Sequence, residues 1–219
     1  MALGRALLWD LDGVLVDSAA YHYRAFRQLL AELGRELDEE FFRTHLLGLR
    51  NEAILHRLLG PLSPEETARL AERKEELYRS LASGRVEPLP GALTLVREAA
   101  ALGYRQAIVT STPLLNVQLV LRSLNLEGAF GAIVAAEDVS KGKPDPEGFL
   151  LAAQRLGAPP AGCTVIEDAP EGIAAAKAAG MRCLGVATTR PPQALAEADL
   201  VVPSLEEPAA RAFLLGPPA

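Results

Sequence analysis

From about residue 84 onward the sequence alternates short apolar runs with helix-length amphipathic stretches, and this alternation leaves the chain very few architectures. The runs are 106–110, 132–135, 163–167 and 183–186, with the pair Val201-Val202 as a last, shorter one. Each of the four longer runs follows a stretch of helical periodicity, at about 92–102, 114–124, 146–156 and 172–179. Strands separated by whole helices cannot pair as tight hairpins; they need crossovers, and crossovers give a parallel sheet covered on both faces. The runs are apolar almost throughout, which fits burial on both faces. One further apolar run, 6–10, opens the chain and breaks at Asp12-Gly13, a turn pair.

The segment between that first run and residue 84 has another character. It is charged and helical, with no convincing strand. Tyr21, Ala25, Leu29 and Leu33 fall at helical spacing and stop at Gly34. Residues 41–47 and 52–59 read as two more short helices. Ser63-Pro64-Glu65-Glu66 is a strong helix start, with a Ser cap, Pro at the first helical position and acids in the first turn; this helix is predicted to run to about 83. The predicted fold class is therefore α/β: a Rossmann-like parallel-sheet core from residues 1–17 and 84–219, with a helical insertion at 18–83. Gly216-Pro-Pro-Ala219 is predicted to be a frayed tail.

Length and charge set the outer limits. The 219 residues suffice for one core with a smaller companion. A net charge of -6 and no basic cluster argue against a nucleic-acid partner. No apolar run approaches the roughly 20 residues of a membrane span, and the start lacks the apolar stretch and small-residue cleavage site of a signal peptide. The expected location is the cytoplasm, away from membranes, as a monomer or small homo-oligomer. Cys163 and Cys183 lie in apolar stretches without a C-x-x-C pattern, and read as buried, reduced thiols. His22, His45 and His56 show no metal-ligand spacing.

In an open α/β sheet, ligands bind beyond the carboxyl ends of the strands. Four successive strand ends here carry Asp10-Leu11-Asp12-Gly13, Thr110-Ser111-Thr112, Lys141-Gly142-Lys143-Pro144-Asp145-Pro146 and Glu167-Asp168. A hard divalent cation prefers carboxylate and carbonyl oxygens, which Asp10, Asp168 and Glu167 can supply. Phosphoryl oxygens take hydroxyl, amide and ammonium donors, which Thr110, Lys143 and loop amides near Gly13 and Ser111 can supply. One carboxylate can serve as a nucleophile, and a second can pass a proton to the leaving oxygen. Each piece alone has a plainer reading. Asp10-x-Asp12-Gly13 can be a solvated turn. Asp168-Ala-Pro-Glu171 has the spacing of a helix cap, and Asp168 is expected to cap a helix as well as bind metal. Thr110-Ser-Thr-Pro113 can simply end a strand and start a helix. Lys143 in a Pro-rich loop can be a solvated charge, as Lys141 is taken to be. The conjunction at successive strand ends is what favours chemistry.

These four stretches, Asp10-Leu-Asp-Gly-Val-Leu-Val-Asp17-Ser18, Thr110, Lys143-Pro-Asp-Pro and Glu167-Asp168-Ala-Pro-Glu-Gly172, resemble in order and spacing the motifs of the haloacid dehalogenase superfamily. The insertion after the first motif resembles that family's α-helical cap domain. The resemblance implies magnesium as cofactor and a role for each position. Asp10 would be nucleophile and metal ligand. Asp12 would be the general acid/base, with its backbone carbonyl a further ligand. Thr110 and Lys143 would hold the phosphoryl group, with Gly13, Ser111 and Thr112 around it, and Glu167 and Asp168 would complete the metal site. The superfamily's dehalogenases and phosphonate-cleaving members lack an Asp at the position of Asp12, so its presence points to phosphate esters.

The predicted cap resembles that of the β-phosphoglucomutase-like branch, through His22, Lys74 and the stretch Gly48-Leu-Arg50-Asn51-Glu. The chain departs from the mutase pattern at two places, where Asn51 in the cap and Pro113 in the core stand in place of basic residues. Arg50 is one position off, about 100° around a helix. His22 lies about a helical turn past the first motif; it either faces the site or belongs to the helix packing. The stretches 167–180 and 185–189 resemble phosphatases of sugar-alcohol and glycerol phosphates. The favoured expectation is a hydrolase of a small phosphorylated metabolite, with His22, Arg50, Asn51 and Lys74 as substrate-binding candidates. A sugar phosphomutase is the alternative, and a catalytically silent binding module the third reading.

Overall fold

The computed structural model describes residues 5–216. It separates into two compact units, one formed by the residues up to Asp17 together with Glu87 onward, the other by Ser18–Val86. The predicted tail residues 217–219 and the opening residues 1–4 lie outside the described part.

The first unit is a six-stranded parallel sheet. Its strands are β1 (Ala6–Trp9), β2 (Arg105–Val109), β3 (Ala132–Val134), β4 (Cys163–Glu167), β5 (Arg182–Val186) and β6 (Leu200–Val202), in the order β3-β2-β1-β4-β5-β6. β1 is paired on both sides, Leu8 opposite Ala107 of β2 and opposite Val165 of β4. The strand order reverses between β1 and β4, and such a switch point is where the ends of neighbouring strands diverge to leave a crevice. The helices of this unit are α5 (Ala92–Ala101), α6 (Leu114–Ser123), α7 (Glu147–Leu156), α8 (Pro170–Ala178) and α9 (Pro208–Leu215). (α1 to α4 belong to the second unit.) Alternate strand residues serve opposite faces. Leu8, Val109 and Val165 pack with Phe149 and Ala152 of α7 and with Ile173 and Ala176 of α8. Trp9 and Gln106 are held from the α5 side: Trp9 Nε1 donates to Gln106 Oε1 at 2.9 Å, and Gln106 Nε2 donates to Val96 O at 3.0 Å. Two polar groups are thus buried without an orphaned donor. Cys163 and Cys183 are buried free thiols, as the sequence predicts.

The second unit contains α1 (Ala19–Glu32), α2 (Glu39–His45), α3 (Asn51–Leu59) and α4 (Pro64–Ala82). The start of α4 is the full reciprocal cap: Ser63 accepts from the Glu66 N–H, and the Glu66 carboxylate accepts from the Ser63 N–H. The buried face of α1 is Tyr23, Ala25, Phe26, Leu29 and Leu30, whereas Leu33 is 44% exposed. The predicted stripe shared only Ala25 and Leu29 with it; α1 turns its aromatic Phe26 inward because α2 and α4 both pack on that side. α9 lies beyond the elements that the sequence predicts. Its Pro208 start and buried Ala210, Leu214 and Leu215 fit a short closing helix. Among the described residues no helix is long and apolar enough to cross a membrane.

Candidate active site

Three of the four predicted stretches meet at the carboxyl ends of β1, β2 and β4, and the Lys143 loop joins them. The Asp10 N–H donates to Ile166 O at 3.0 Å, so the β1–β4 ladder runs to the residue that leaves the sheet. Beyond it Gly13 takes φ = +82°, a conformation open chiefly to glycine, and a Cβ there would collide with the Asp168 carboxylate. The first and fourth loops therefore touch because residue 13 has no side chain. Gly172 plays the same part under Glu167: a Cβ there would strike that carboxylate.

Asp10, Glu167 and Asp168 are buried, and each offers a ligand oxygen within 4.8 Å of the others. Lys143 Nζ donates to Asp10 Oδ1 at 2.5 Å, to Glu167 Oε1 at 2.5 Å and to Val109 O at 3.2 Å. Its ammonium also lies over the Phe149 ring, 5.4 Å from the centroid. Glu167 Oε2 accepts the N–H groups of Asp168 and Ala169 at 2.9 and 3.1 Å. Burial pushes the Asp10 carboxyl well above its usual range, against the pull of Lys143 and with the push of Glu167 and Asp168. Burial, followed by the charge of Glu167, lifts Asp168 to about 7. Burial alone would depress Lys143, but the carboxylates of Asp10 and Glu167 outweigh it and hold the ammonium above its ordinary range. Three buried carboxyl groups face one ammonium, so loss of their protons would leave surplus negative charge in a buried place. An all-oxygen donor set with that surplus fits a hard divalent cation.

The second loop is arranged around Asp12. Thr112 Oγ1 donates to Asp12 Oδ2, and the Thr112 N–H donates to Thr110 Oγ1 at 3.1 Å. Thr110 is buried and Ser111 is exposed. The carboxylate of Asp12 lies outside the three-residue cluster that could hold a metal. The N–H of Gly13 is donated to Val16 O at 2.8 Å, so Gly13 serves the site by its conformation. Lys141 pairs with Asp145 at 3.6 Å and its side chain is 72% exposed, in keeping with a solvated charge.

The capping expected of Asp168 is not found, and the Thr110–Pro113 stretch joins β2 to α6 without a threonine cap. The helix after β4 is capped at Ala169, with Pro170 as its first residue, and Asp168 makes no cap bond; its carboxylate is taken by Thr189 Oγ1 instead. α6 starts after Pro113, not from a Thr cap, and the Leu114 N–H is accepted by Glu137 at 3.1 Å. Thr188 and Thr189, which the sequence reading does not place in the site, reach the loops of Gly13 and Asp168. They follow the end of β5, and the strand-end rule that found the other four loops would have found them too.

In the helical unit, His22, Asn51 and Lys74 come together. Lys74 Nζ lies 2.8 Å from His22 Nδ1 and 2.9 Å from Glu75 Oε1, and Asn51 Nδ2 donates to Glu75 Oε1 at 2.6 Å. The Lys74 and Glu75 side chains are almost wholly buried. His22 stacks on Tyr78, with centroids 4.3 Å apart. Arg50 is exposed at the cap of α3.

The family model for haloacid dehalogenase-like hydrolase matches residues 5–180. Fructose-1-phosphate phosphatase YqaB of Escherichia coli is 35% identical, covering 82% of this chain and 95% of its own. Beta-phosphoglucomutase of Bacillus subtilis is 34% identical, covering 90% and 88%. The crystal structure of CbbY from Rhodobacter sphaeroides in complex with phosphate superposes with a TM-score of 0.85 at 31% identity, covering 94% and 96%. With the sheet order, the clustered carboxylates and the bridging lysine already in place, the match identifies the chain as a member of the haloacid dehalogenase-like hydrolase family.

Proposed function

We propose that this phosphatase hydrolyses small phosphate monoesters, of the sugar or polyol phosphate class, through an aspartyl-phosphate on Asp10. The observation that carries the reading is Lys143 bridging Asp10 and Glu167 at 2.5 Å each, inside a cluster of three buried carboxylates. Asp10, Glu167 and Asp168, with the backbone carbonyl of Asp12, would hold magnesium. That ion would supply positive charge to the crowded oxygens of the ester and to the developing transition state.

The steps belong to the side chains. Asp10 attacks phosphorus, forming an acyl phosphate as the bond to the leaving oxygen breaks. Asp12 gives its proton to that oxygen, then takes one from water as the water attacks the acyl phosphate. Inorganic phosphate leaves and Asp10 is restored. Lys143 and Thr110 hold the transferring phosphoryl group, with Ser111 beside them.

The helical unit, as a cap domain, would select the leaving group through His22, Asn51 and Lys74. A mutase working through a bisphosphate needs cations for a second phosphate. The identity to Beta-phosphoglucomutase and the match at His22 and Lys74 favour that second reading. Against it, Lys74 is already matched by Glu75, and Asn51, where the mutase pattern has a basic residue, binds the same carboxylate. The charge balance supports a hydrolase. The test is a panel of sugar and polyol phosphates assayed for inorganic phosphate, with and without a chelator. Magnesium-dependent phosphate release is expected. Conversion of β-glucose 1-phosphate to glucose 6-phosphate with a bisphosphate primer, and no net phosphate release, would sink the hydrolase in favour of the mutase.

A further inference from the structure

The turn that follows β5 is tied to the sheet and reaches two loops of the site. The Ala187 N–H donates to Val202 O of β6 at 2.8 Å, and the Thr188 N–H donates to Val186 O at 2.9 Å. From this anchored turn two hydroxyls extend to different targets. Thr188 Oγ1 donates to the carbonyl oxygen of Gly13, and Thr189 Oγ1 donates to Asp168 Oδ2. The approach is close on the apolar side as well: a Cβ on Gly13 would lie 2.9 Å from Thr189 Cγ2. Residue 13 thus leaves room for Asp168 and for the threonine that holds it.

We propose that Thr189 is a positioning residue for the divalent cation, acting by fixing the rotation of the Asp168 carboxylate. The inference rests on the cation reading given above. A carboxylate on a free rotor must be ordered when it takes a metal. A hydroxyl delivered from an anchored turn does that ordering in advance, and the loss of such an outer partner typically weakens metal binding about 10- to 100-fold. Asp168 has this outside support from the β5 turn, whereas Glu167 is held by Lys143 and by two amides of its own loop. Fastening Asp168 from a separate strand also lets the fifth strand end set cation affinity without contributing a ligand.

The test compares wild type, Thr189→Val, Thr189→Ser and Asp168→Asn, each stripped with a chelator and titrated with magnesium by isothermal titration calorimetry. Valine keeps the branched shape and removes the hydroxyl; serine keeps the hydroxyl and removes the methyl. Thr189→Val is expected to bind magnesium about 10- to 100-fold more weakly, while the stripped protein keeps a cooperative melting transition. Thr189→Ser is expected to keep wild-type affinity. Equal affinity in Thr189→Val and wild type overturns the proposal, and so does an equal loss in Thr189→Ser, which would assign the effect to packing. If Asp168→Asn binds as wild type does, the cation reading itself fails, and that result is distinct from either outcome at Thr189.

Discussion

Lys143 donates to two carboxylates and a carbonyl from a single ammonium, so removing it strips the only cation bonded to Asp10 and Glu167 among the described contacts. Lys143→Ala is expected to lower turnover of any phosphate ester by about 100-fold or more, the usual cost of one lost transition-state donor. It should also cost the folded protein on the order of 3 kcal/mol, because the partner charges stay buried. Lys141→Ala, at a side chain that is 72% exposed, should change stability by less than about 0.5 kcal/mol. Phosphate release and thermal melting of the two variants check both statements; equal effects would remove the special role of Lys143. The carboxylates give a pH dependence of definite sign. Asp168 titrates at about 7 in the fold against 3.8 ordinarily, and Asp10 is displaced in the same direction. Between those limits the folded state holds protons that the unfolded chain has released, so metal-free stability falls as pH rises from about 4 to 7. Above that window Asp168 is ionised and adds its charge to the cluster. A divalent cation offsets that charge there, but at pH 5.5 it must first displace protons. Magnesium at about 100 times its dissociation constant should then raise the melting temperature by on the order of 5 °C at pH 8, and by clearly less at pH 5.5. Melting curves at the two pH values, with and without magnesium, decide it; a larger rise at the lower pH would contradict the assignment.

At the scale of the element, the most telling position is Gly172 in α8. Helix propensity alone favours Ala over Gly by about 1 kcal/mol in a helix interior. Here an added Cβ would strike the Glu167 carboxylate, which lies against the first turn of the helix. Gly172→Ala is therefore expected to lower stability by about 1–3 kcal/mol, the cost of overpacking, and to weaken magnesium binding through the displaced Glu167. A melting temperature at or above that of wild type would show that the loop yields freely. The same position explains why some of the molecule was readable and some was not. The inner strands of the sheet are legible because burial on both faces makes them apolar runs; the strand ends then name Asp10, Thr110, Glu167 and Asp168 by simple succession, and the loop after β3 names Lys143. The start of α4 is legible because Ser63 and Glu66 act on their own backbone. Other features depend on partners distant in sequence, and no local pattern shows them. Thr112 has the look of a cap, yet its hydroxyl serves Asp12, 100 residues away. Asp168 has the spacing of a cap, yet Thr189 claims its carboxylate. Phe26 and Leu30 are buried because α2 and α4 lie on their side of α1, which the spacing of α1 alone leaves open.

Across the whole molecule, the residues proposed for chemistry and those proposed for selectivity fall in different units. Asp10, Asp12, Thr110, Lys143, Glu167 and Asp168 all belong to the sheet unit, whereas His22, Asn51, Lys74 and Glu75 all belong to Ser18–Val86. If the proposed roles hold, the two sets must fail differently. Changes in the first set remove a step that every ester needs. Changes in the second remove contacts that only an elaborate leaving group can make, and binding energy from such remote contacts is drawn on in the transition state as well as in the ground state. Removing Lys74 alone is a poor test, since it leaves Glu75 buried and unmatched, at a cost of about 3–5 kcal/mol. The double substitution Lys74→Met with Glu75→Gln removes both charges together and leaves Asn51 an amide partner. It is expected to lower kcat/KM for sugar and polyol phosphates by about 10-fold or more, in the range of a lost charged hydrogen bond. Turnover of a small aryl phosphate, whose leaving group offers nothing for such side chains to grip, should stay near that of wild type. The ratio of the two kcat/KM values is the measurement, because a general loss of folded enzyme cancels from it. An unchanged ratio would take substrate selection away from the helical unit and return it to the loops of the sheet.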